Sequence, residues 1–539
     1  MFEFVDRYRL KILAQVGIAG LAILLLFCGL TDKYLWQDEA ETAVLATRML
    51  KFGKPLAYDG VNLIGTDRFD ADEYAVGRQA ADWKDGLDYH LRRKEFKPDT
   101  AWKWQPWGLF AVTAVSIKAL GPTTLAARLP FALAGVATAL LLFHLVRKYS
   151  GSFQMALLAS LFLLCNPYWI LHARQCRYYS LSSLLLVLTL LSYARWQESG
   201  KGGTVAFVAA AWCYFQIDYG AVWPVLAVLF LDAFLTRKHS WRHTSTVCAV
   251  LAVTIAPFLY YYELWGRGVG QNTSWKQRFL ANLFNMNEYV VPVLVVLASA
   301  ALLAWHWKSL APAERRLVVV SEGIILALAL WVPTVSVVAF LRYAIIAAPL
   351  GCLLTAWTVV RVFGSRRVWL IWPCAALLIV TPWASLPLHA LVSPSYAYAL
   401  NPWYRAEFSA LRNEDFSHQQ DPNRLVIDWL KKNAAPSDEI LINYEDKPMM
   451  FYLPNPIRGG VSAFRVADDS RMPPRFVVLR LSVGFVNWPI FLSEVRRYRW
   501  TQVPVQAPDL PWGNNPDPMS QYEIRSQRPV LFFAQRVGP

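Results

Sequence analysis

Runs of consecutive apolar residues recur along the first 390 positions, and no other feature restricts this chain's fold as strongly. About twenty such residues in helical form cross the hydrocarbon core of a bilayer. In lipid the backbone must satisfy its own hydrogen bonds, so each run is read as a helix. Eleven segments qualify, at 12–30, 125–146, 153–170, 180–195, 203–217, 220–235, 244–263, 289–305, 317–338, 343–360 and 368–387. Composition agrees. Of the 539 residues 55% are hydrophobic and 17% charged, against roughly 25% charged in soluble chains. A solvated multidomain protein and a disordered chain are both excluded. The expected fold is a polytopic α-helical membrane protein with about eleven transmembrane helices.

The net charge of +15 would suggest nucleic acid in a soluble chain, but its distribution points to a membrane. The two long polar stretches are nearly neutral: residues 31–103 hold 12 Lys/Arg and 14 Asp/Glu, and residues 388–539 hold 17 and 15. The excess lies on short loops between apolar runs. With the N-terminus inside, the pieces 1–11, 147–152, 195–202, 236–243, 306–316 and 361–367 carry 16 Lys/Arg, and the rest of the membrane body carries eight. That asymmetry is the positive-inside signature, so the N-terminus is expected in the cytoplasm. Basic residues 7, 9 and 11 precede the first apolar run without a small-residue cleavage site. A retained first helix is expected. The seven cysteines all lie in or beside apolar runs, which implies no disulfide framework.

Two pieces fall outside. The first is the outer loop 31–124. It includes the short apolar stretch 107–121, which contains Lys118 and is read as an amphipathic helix lying in the interface. The second is the tail from about 388, where 421–433 reads as a helix and 439–444 and 475–481 as strands, punctuated by Gly, Pro and Asn. The expected organisation is a transmembrane domain over 1–387 and a soluble α/β domain over 388–539.

Polar residues gather at the outer ends of the spans. Trp36, Gln37, Asp38 and Glu39 follow the first span. Adjacent residues on a helix point about 100° apart, so Asp38 and Glu39 do not both face one site. Two readings stay open for Asp38: a general base, or the cap of a helix over 39–52. Lys103 opens the 107–121 helix. His172, Arg174, Arg177, Tyr178 and Tyr179 stand between spans three and four, and two arginines there run against the positive-inside bias and call for partners. Asp218 lies in a tight turn, where capping is the simpler reading. The loop 262–288 carries Glu263 and Glu288 and is long for a hairpin, which suggests a lid. Arg342 and Tyr343 open a late span. Lys103, Arg174, Arg177 and Arg342 suit an anionic lipid phosphate, while Trp36, Tyr178, Tyr179, Asp218 and Tyr343 suit a sugar. No nucleotide loop and no Cys/His zinc spacing occurs, and Asn272-Thr273-Ser274 is a weak glycosylation triplet.

The segment LWQDEAETAVLATRMLKFGKPLAYDG resembles the first outer loop of C-class glycosyltransferases. It is most similar to bacterial members of the protein O-mannosyltransferase superfamily, which includes the lipid A aminoarabinose transferases. The matching residues are Trp36 with Asp38-Glu39, Gly53-Lys54-Pro55, Lys103 with Pro106, Ala127-Arg128-Leu129-Pro130, and Arg342-Tyr343 before Pro349. The resemblance covers about residues 1–390 and is most specific in the first 180. It implies a polyprenyl-phosphate sugar donor and a catalytic Asp in the first outer loop, which is Asp38. Two departures stand out. Residues 65–100 form an acidic insertion, and Arg177-Tyr178-Tyr179-Ser180 replaces a loop that carries an Asp in aminoarabinose transferases, so the resemblance does not carry that sugar over.

These readings combine into an integral glycosyltransferase at the outer face of a bacterial inner membrane, with its C-terminal domain periplasmic or extracellular. It would move a sugar from a polyprenyl monophosphate to a hydroxyl of a glycan, lipid or protein, with inversion. Asp38, or Glu39 beside it, is the base. No metal ligands and no cofactor are required, and a divalent cation is optional; no nucleic acid is involved. The alternatives are a transferase using a diphosphate-linked donor, with Glu263 or Glu288 holding a divalent cation, a lipid-linked transporter, and a non-catalytic subunit of the same fold. The topology gives a direct expectation. A cysteine introduced at Ser240 should react only with reagents that reach the cytoplasm, and labelling from outside would overturn the eleven-span arrangement.

Overall fold

The computed structural model describes residues 2–64, 99–264, 274–335, 341–364, 367–393, 402–405, 408, 411–412, 421–459, 474–481, 495–496, 498–505, 507, 509 and 529–535. By its contacts the chain divides into two units, Met1–Cys28 with Phe131–Asp415, and Gly29–Pro130 with Phe416–Pro539. The acidic insertion 65–98 and the first two residues of the Asn272-Thr273-Ser274 triplet lie outside the described residues.

The first unit is helical. Among the described residues five helices are long and apolar enough to cross a membrane: Leu10–Phe27, Thr124–Ser150, Trp241–Tyr261, Pro312–Val335 and Ile345–Phe363. The number rises to seven if each of two bent pairs is one span. The chain is thus a multi-pass membrane protein. The first bent pair, Phe153–Leu164 with Pro167–Ala173, turns by 70°. Pro167 cannot continue a helix hydrogen-bond ladder, and Asn166 caps the new helix by accepting the Trp169 N–H at 3.0 Å. The second, Trp275–Val290 with Val293–Trp305, turns by 78° through a π-turn at Met286–Val290 and Pro292. Asn287 Oδ1 accepts the Val293 N–H there at 2.9 Å. Residues 265–273 of the 262–288 segment lie outside the described residues, and the rest is not all loop. Its last part is a helix, Trp275–Asn285, started by Ser274 and Gln277 in a capping box.

Helix Tyr179–Ile217 covers both segments expected at 180–195 and 203–217. At a rise of about 1.5 Å per residue, a straight helix would hold residues 182 and 214 nearly 50 Å apart. Instead Ser182 Oγ lies 3.4 Å from the Tyr214 hydroxyl, and Trp196 stacks on Phe207 at 5.1 Å. The chain folds back on itself near Gly203, where a Cβ would sit 2.6 Å from the Trp196 backbone. The two segments are antiparallel neighbours without an intervening loop.

The second unit contains helices Gln37–Phe52, Gly108–Leu120, Pro422–Asn433 and Asp446–Tyr452. Gly108–Leu120 matches the stretch expected to be amphipathic. The tail forms β1 (Ile440–Ile442), β2 (Ile457–Gly459), β3 (Phe476–Leu479), β4 (Trp500–Gln502) and β5 (Leu531–Gln535), arranged β2-β1-β3-β5-β4. The β2-β1-β3 part is parallel, and β5 runs antiparallel to β3 and β4. Parallel central strands are buried on both faces, as the runs ILI and FVVL here are. Helix Pro422–Asn433 covers one face with Val426, Ile427 and Leu430. Its start, capped by Asp421, and strands β1 and β3 lie where the sequence placed them.

One close approach is specific enough to test. At Gly351 an added Cβ would fall inside contact distance of the Val290 carbonyl oxygen, so only glycine lets helix Ala348–Phe363 pack on the π-turn. Gly351→Ala should cost about 1–3 kcal/mol through overpacking. Gly20→Ala, where nothing lies within 4 Å, should leave the thermal melt in detergent unchanged or slightly raised.

Candidate functional site

In the second unit the site begins with how helix Gln37–Phe52 starts. Trp36 is extended (φ −85°, ψ 173°) and is the residue before the first turn. Asp38 and Glu39 occupy that turn, where the helix dipole favours carboxylates. The sequence allowed Asp38 to be the cap of a helix over 39–52. The helix instead begins earlier, and Glu39 reaches back to the Trp36 N–H at 3.4 Å. The far end stops at Gly53 in the left-handed conformation (φ 74°), ahead of Pro55.

Three neighbouring side chains of this helix have partners that fix its orientation. Gln37 Nε2 donates to Asp446 Oδ1 at 2.6 Å, and Lys447 Nζ meets Glu41 at 2.5 Å, so residues 37 and 41 face helix Asp446–Tyr452. Glu39 is fully buried and held by Arg128 in a bidentate pair, Nε to Oε1 at 2.8 Å and Nη2 to Oε2 at 2.6 Å. Arg128 also donates to the carbonyls of Leu30, Lys33 and Tyr34 at 2.7, 3.0 and 3.2 Å. Asp38 is half-buried and lies about 100° around the helix axis from both Gln37 and Glu39. Trp36 is buried.

Lys103 is placed by a short antiparallel pairing. Ala57 and Trp102 donate to the carbonyls of Thr100 and Pro55, both at 2.7 Å. Arg48 holds the 56–62 turn by donating to the Ala57 and Asn62 carbonyls at 2.6 and 2.8 Å and to Asp59 at 2.8 Å. The guanidinium and two backbone N–H groups keep the Asp59 carboxyl below its usual range although burial pushes the other way. Lys103 itself is 1% exposed, so it is a buried cation beside buried Trp102 and not a side chain reaching out to the headgroups. In the same unit burial pushes the Glu445 carboxyl up to about 8 and raises those of Asp421 and Asp446.

The first unit gathers a second group. Tyr178 lies within electrostatic reach of Tyr179, Tyr343, Asp218 and Arg342, and His172 lies within electrostatic reach of Arg342. The rings of Tyr178 and Tyr179 are 4.7 Å apart, His172 stands edge-on to Tyr179 at 5.0 Å, and the Arg342 guanidinium lies 5.6 Å from the Tyr343 ring. These residues come from three places in the sequence, so the structure brings together most of the expected sugar- and phosphate-binding residues of this unit. His172, noted in the sequence with this group but given no role, is buried, with Nδ1 2.7 Å from the Tyr168 carbonyl. Asp218 behaves as a cap. Its Oδ1 accepts the Ala221 N–H at 3.1 Å and its Oδ2 the Ser182 hydroxyl at 2.7 Å. Arg174 is buried and donates to the Cys28 carbonyl. Arg177 is half-buried beside these residues.

No cluster of three or more His, Cys, Asp or Glu suited to a metal occurs among the described residues. Glu288, a carboxylate considered for a diphosphate-linked donor, is buried with its Oε2 3.4 Å from His389 Nε2. Glu263 sits at a turn with φ 49°.

The Glu39–Arg128 pair separates the two adjacent acids. Breaking a buried pair from one side leaves an uncompensated charge, at a cost of about 3–5 kcal/mol. Glu39→Gln and Arg128→Met should each lower the thermal melt sharply, and the double variant less than the sum. Asp38→Asn should melt like the wild type. A Glu39→Gln protein as stable as the wild type would show that the clamp does not hold the turn.

Neither a family model nor a curated protein matches this sequence. The fold does have solved counterparts. The crystal structure of ArnT from Cupriavidus metallidurans bound to undecaprenyl phosphate aligns with a TM-score of 0.56 at 16% identity, over 97% of this chain and 99% of that one. The apo form of the same protein aligns at 0.58 and 15%, over 97% and 98%. The fold match agrees with the resemblance read from the first outer loop, and over nearly its whole length this chain has an ArnT-like fold.

Proposed function

We propose that the protein is an inverting membrane glycosyltransferase that takes a sugar from a polyprenyl monophosphate at the outer face of a bacterial inner membrane. The observation that carries this reading is the ArnT-like fold over 97% of the chain, with one counterpart solved bound to undecaprenyl phosphate. The first-turn position of Asp38, on a helix whose neighbouring acid is already occupied, adds the chemistry. The reading keeps eleven spans, a cytoplasmic N-terminus, a membrane domain to about residue 387 and an outer domain beyond it.

In this mechanism the acceptor hydroxyl oxygen attacks the anomeric carbon while Asp38 takes its proton. The bond to the phosphate oxygen breaks, and polyprenyl phosphate leaves as a stable anion, so no general acid is required. Cations stabilise the charge that develops on it. The sequence offers Lys103, Arg174, Arg177 and Arg342 for that task. Arg342 is the strongest of these, because it stands among Tyr178, Tyr179 and Tyr343, whose rings suit a sugar face. Glu39 is a positioning residue: Arg128 occupies both its oxygens, so it sets the direction of the helix that carries Asp38. The acceptor is a hydroxyl of a glycan, lipid or protein.

Two variants test the reading in single-turnover transfer by purified protein in lipid. Asp38→Asn should keep the melt and donor binding and lose about 10²–10⁴-fold in rate, the usual worth of a general base. Arg342→Ala should weaken donor binding more than it lowers the melt, and Arg342→Lys should restore part of it, because lysine lacks the two-pronged grip on oxygens. Near-normal transfer by Asp38→Asn would remove that residue from the mechanism.

A further inference from the structure

The end of the first unit at which Tyr179–Ile217 folds back carries an open cleft that the proposed sugar transfer does not use. It lies some 25 Å along that helix from Tyr178, at about 1.5 Å per residue. Its walls come from the last turns of Thr124–Ser150, the fold-back, and the first turns of Pro312–Val335. Polarity changes along it. Leu145, Leu190, Leu317 and Val320 line the part nearer the helix middles, and Gln197, Glu198, Lys238 and Arg316 line the part at the helix ends. Gln197 lies about 10 Å beyond Leu190 along the same helix.

Gln197 is the informative residue. It is 6% exposed, and neither its Nε2 nor its Oε1 has a hydrogen-bond partner among the described residues. A buried amide without partners is costly, and this one asks its occupant for both a donor and an acceptor. The charges around it do not cancel. Lys148 holds Glu198 at 3.1 Å, and Arg316 holds Asp232 through Nε at 2.6 Å while Nη2 reaches the Tyr193 hydroxyl at 2.9 Å. Arg316 Nη1 and exposed Lys238 have no carboxylate partner among the described residues. Three cations thus face two carboxylates.

We propose that this cavity binds an anionic glycerophospholipid with a hydroxylated headgroup, of the phosphatidylglycerol type, from the leaflet at this end of the helices. Lys238 and Arg316 Nη1 hold its phosphate. A headgroup hydroxyl donates to Gln197 Oε1, Gln197 Nε2 donates to an ester or phosphate oxygen, and one acyl chain covers Leu145, Leu190 and Leu317. A zwitterionic headgroup would set its ammonium against the excess positive charge. Free phosphate would leave the apolar wall uncovered.

The full chain purified in detergent would be titrated with phosphatidylglycerol, phosphatidylethanolamine and inorganic phosphate, read by thermal melting and native mass spectrometry. Phosphatidylglycerol should give a saturable rise in melting temperature and a retained one-to-one adduct, and the other two should not. Gln197→Leu and Lys238→Gln should each weaken that binding about tenfold, the worth of one lost charge-assisted or buried hydrogen bond. Lys238→Gln, at an exposed position, should not change the unliganded melt. Equal binding of the two lipids, an equal effect of inorganic phosphate, or unchanged binding in both variants would each overturn the proposal.

Discussion

The second unit depends on one ion pair. Arg128 grips both oxygens of Glu39 and also three carbonyls of the turn at 30–34. A guanidinium has five N–H donors in a rigid fork, and here they close a turn and orient a helix together. Burying a charge pair is costly unless the geometry is good and the remaining donors are satisfied; both conditions hold. The consequence for function is directional. With Glu39 fixed against Arg128 and Gln37 and Glu41 against Asp446 and Lys447, the rotation of the Gln37–Phe52 helix is set, and so is the direction of Asp38.

The tail adds a second level of support. Tyr34 stacks on Tyr452 at 4.1 Å and donates to Asp428 at 2.6 Å, while Tyr452 in turn receives the Leu35 N–H at 3.0 Å. Asn62 bonds to the Asn455 carbonyl and the Ile457 N–H. A buried Arg480, which follows β3, joins Asp509, Asn423 and Asn443. Residues from the first outer loop and from the tail thus share polar contacts across some 400 positions of sequence. The α/β fold of the tail supports the 30–64 segment through directional bonds, where simple apolar packing would leave the Gln37–Phe52 helix free to turn about its axis.

The membrane-spanning unit follows different physics. Its helices are joined by breaks at Asn166-Pro167 and at the π-turn before Pro292, which end ladders inside apolar sequence. Two groups of its polar residues lie at helix ends, while Glu322 and Ser299 pair between helix middles. At one end are Tyr178, Asp218 and Arg342; at the other are the Tyr193–Asp232–Arg316 network and the cavity beside it. The fold-back at Gly203 places both ends of Tyr179–Ile217 together, which is why Asp218 meets Ser182.

The sequence by itself determined the elements that local chemistry controls. Apolar run length marked the helices, and alternation with turn residues marked the helix before β1 and the strands β1 and β3. The start of Trp275–Asn285 was also legible, in a Ser274-to-Gln277 capping pattern, although the segment was read as a loop. Asp38 and Glu39 could not be separated in this way. Adjacent acids in a first turn have the same intrinsic preferences, and Glu39's partner lies 89 residues away. Burial of Lys103, the pairing of Gln37 with Asp446, and the grouping of Arg342 with Tyr178 were likewise decided only by the tertiary structure. A carboxylate's role depends on which charge reaches it and how much water it retains, and both are set by distant segments of the folded chain.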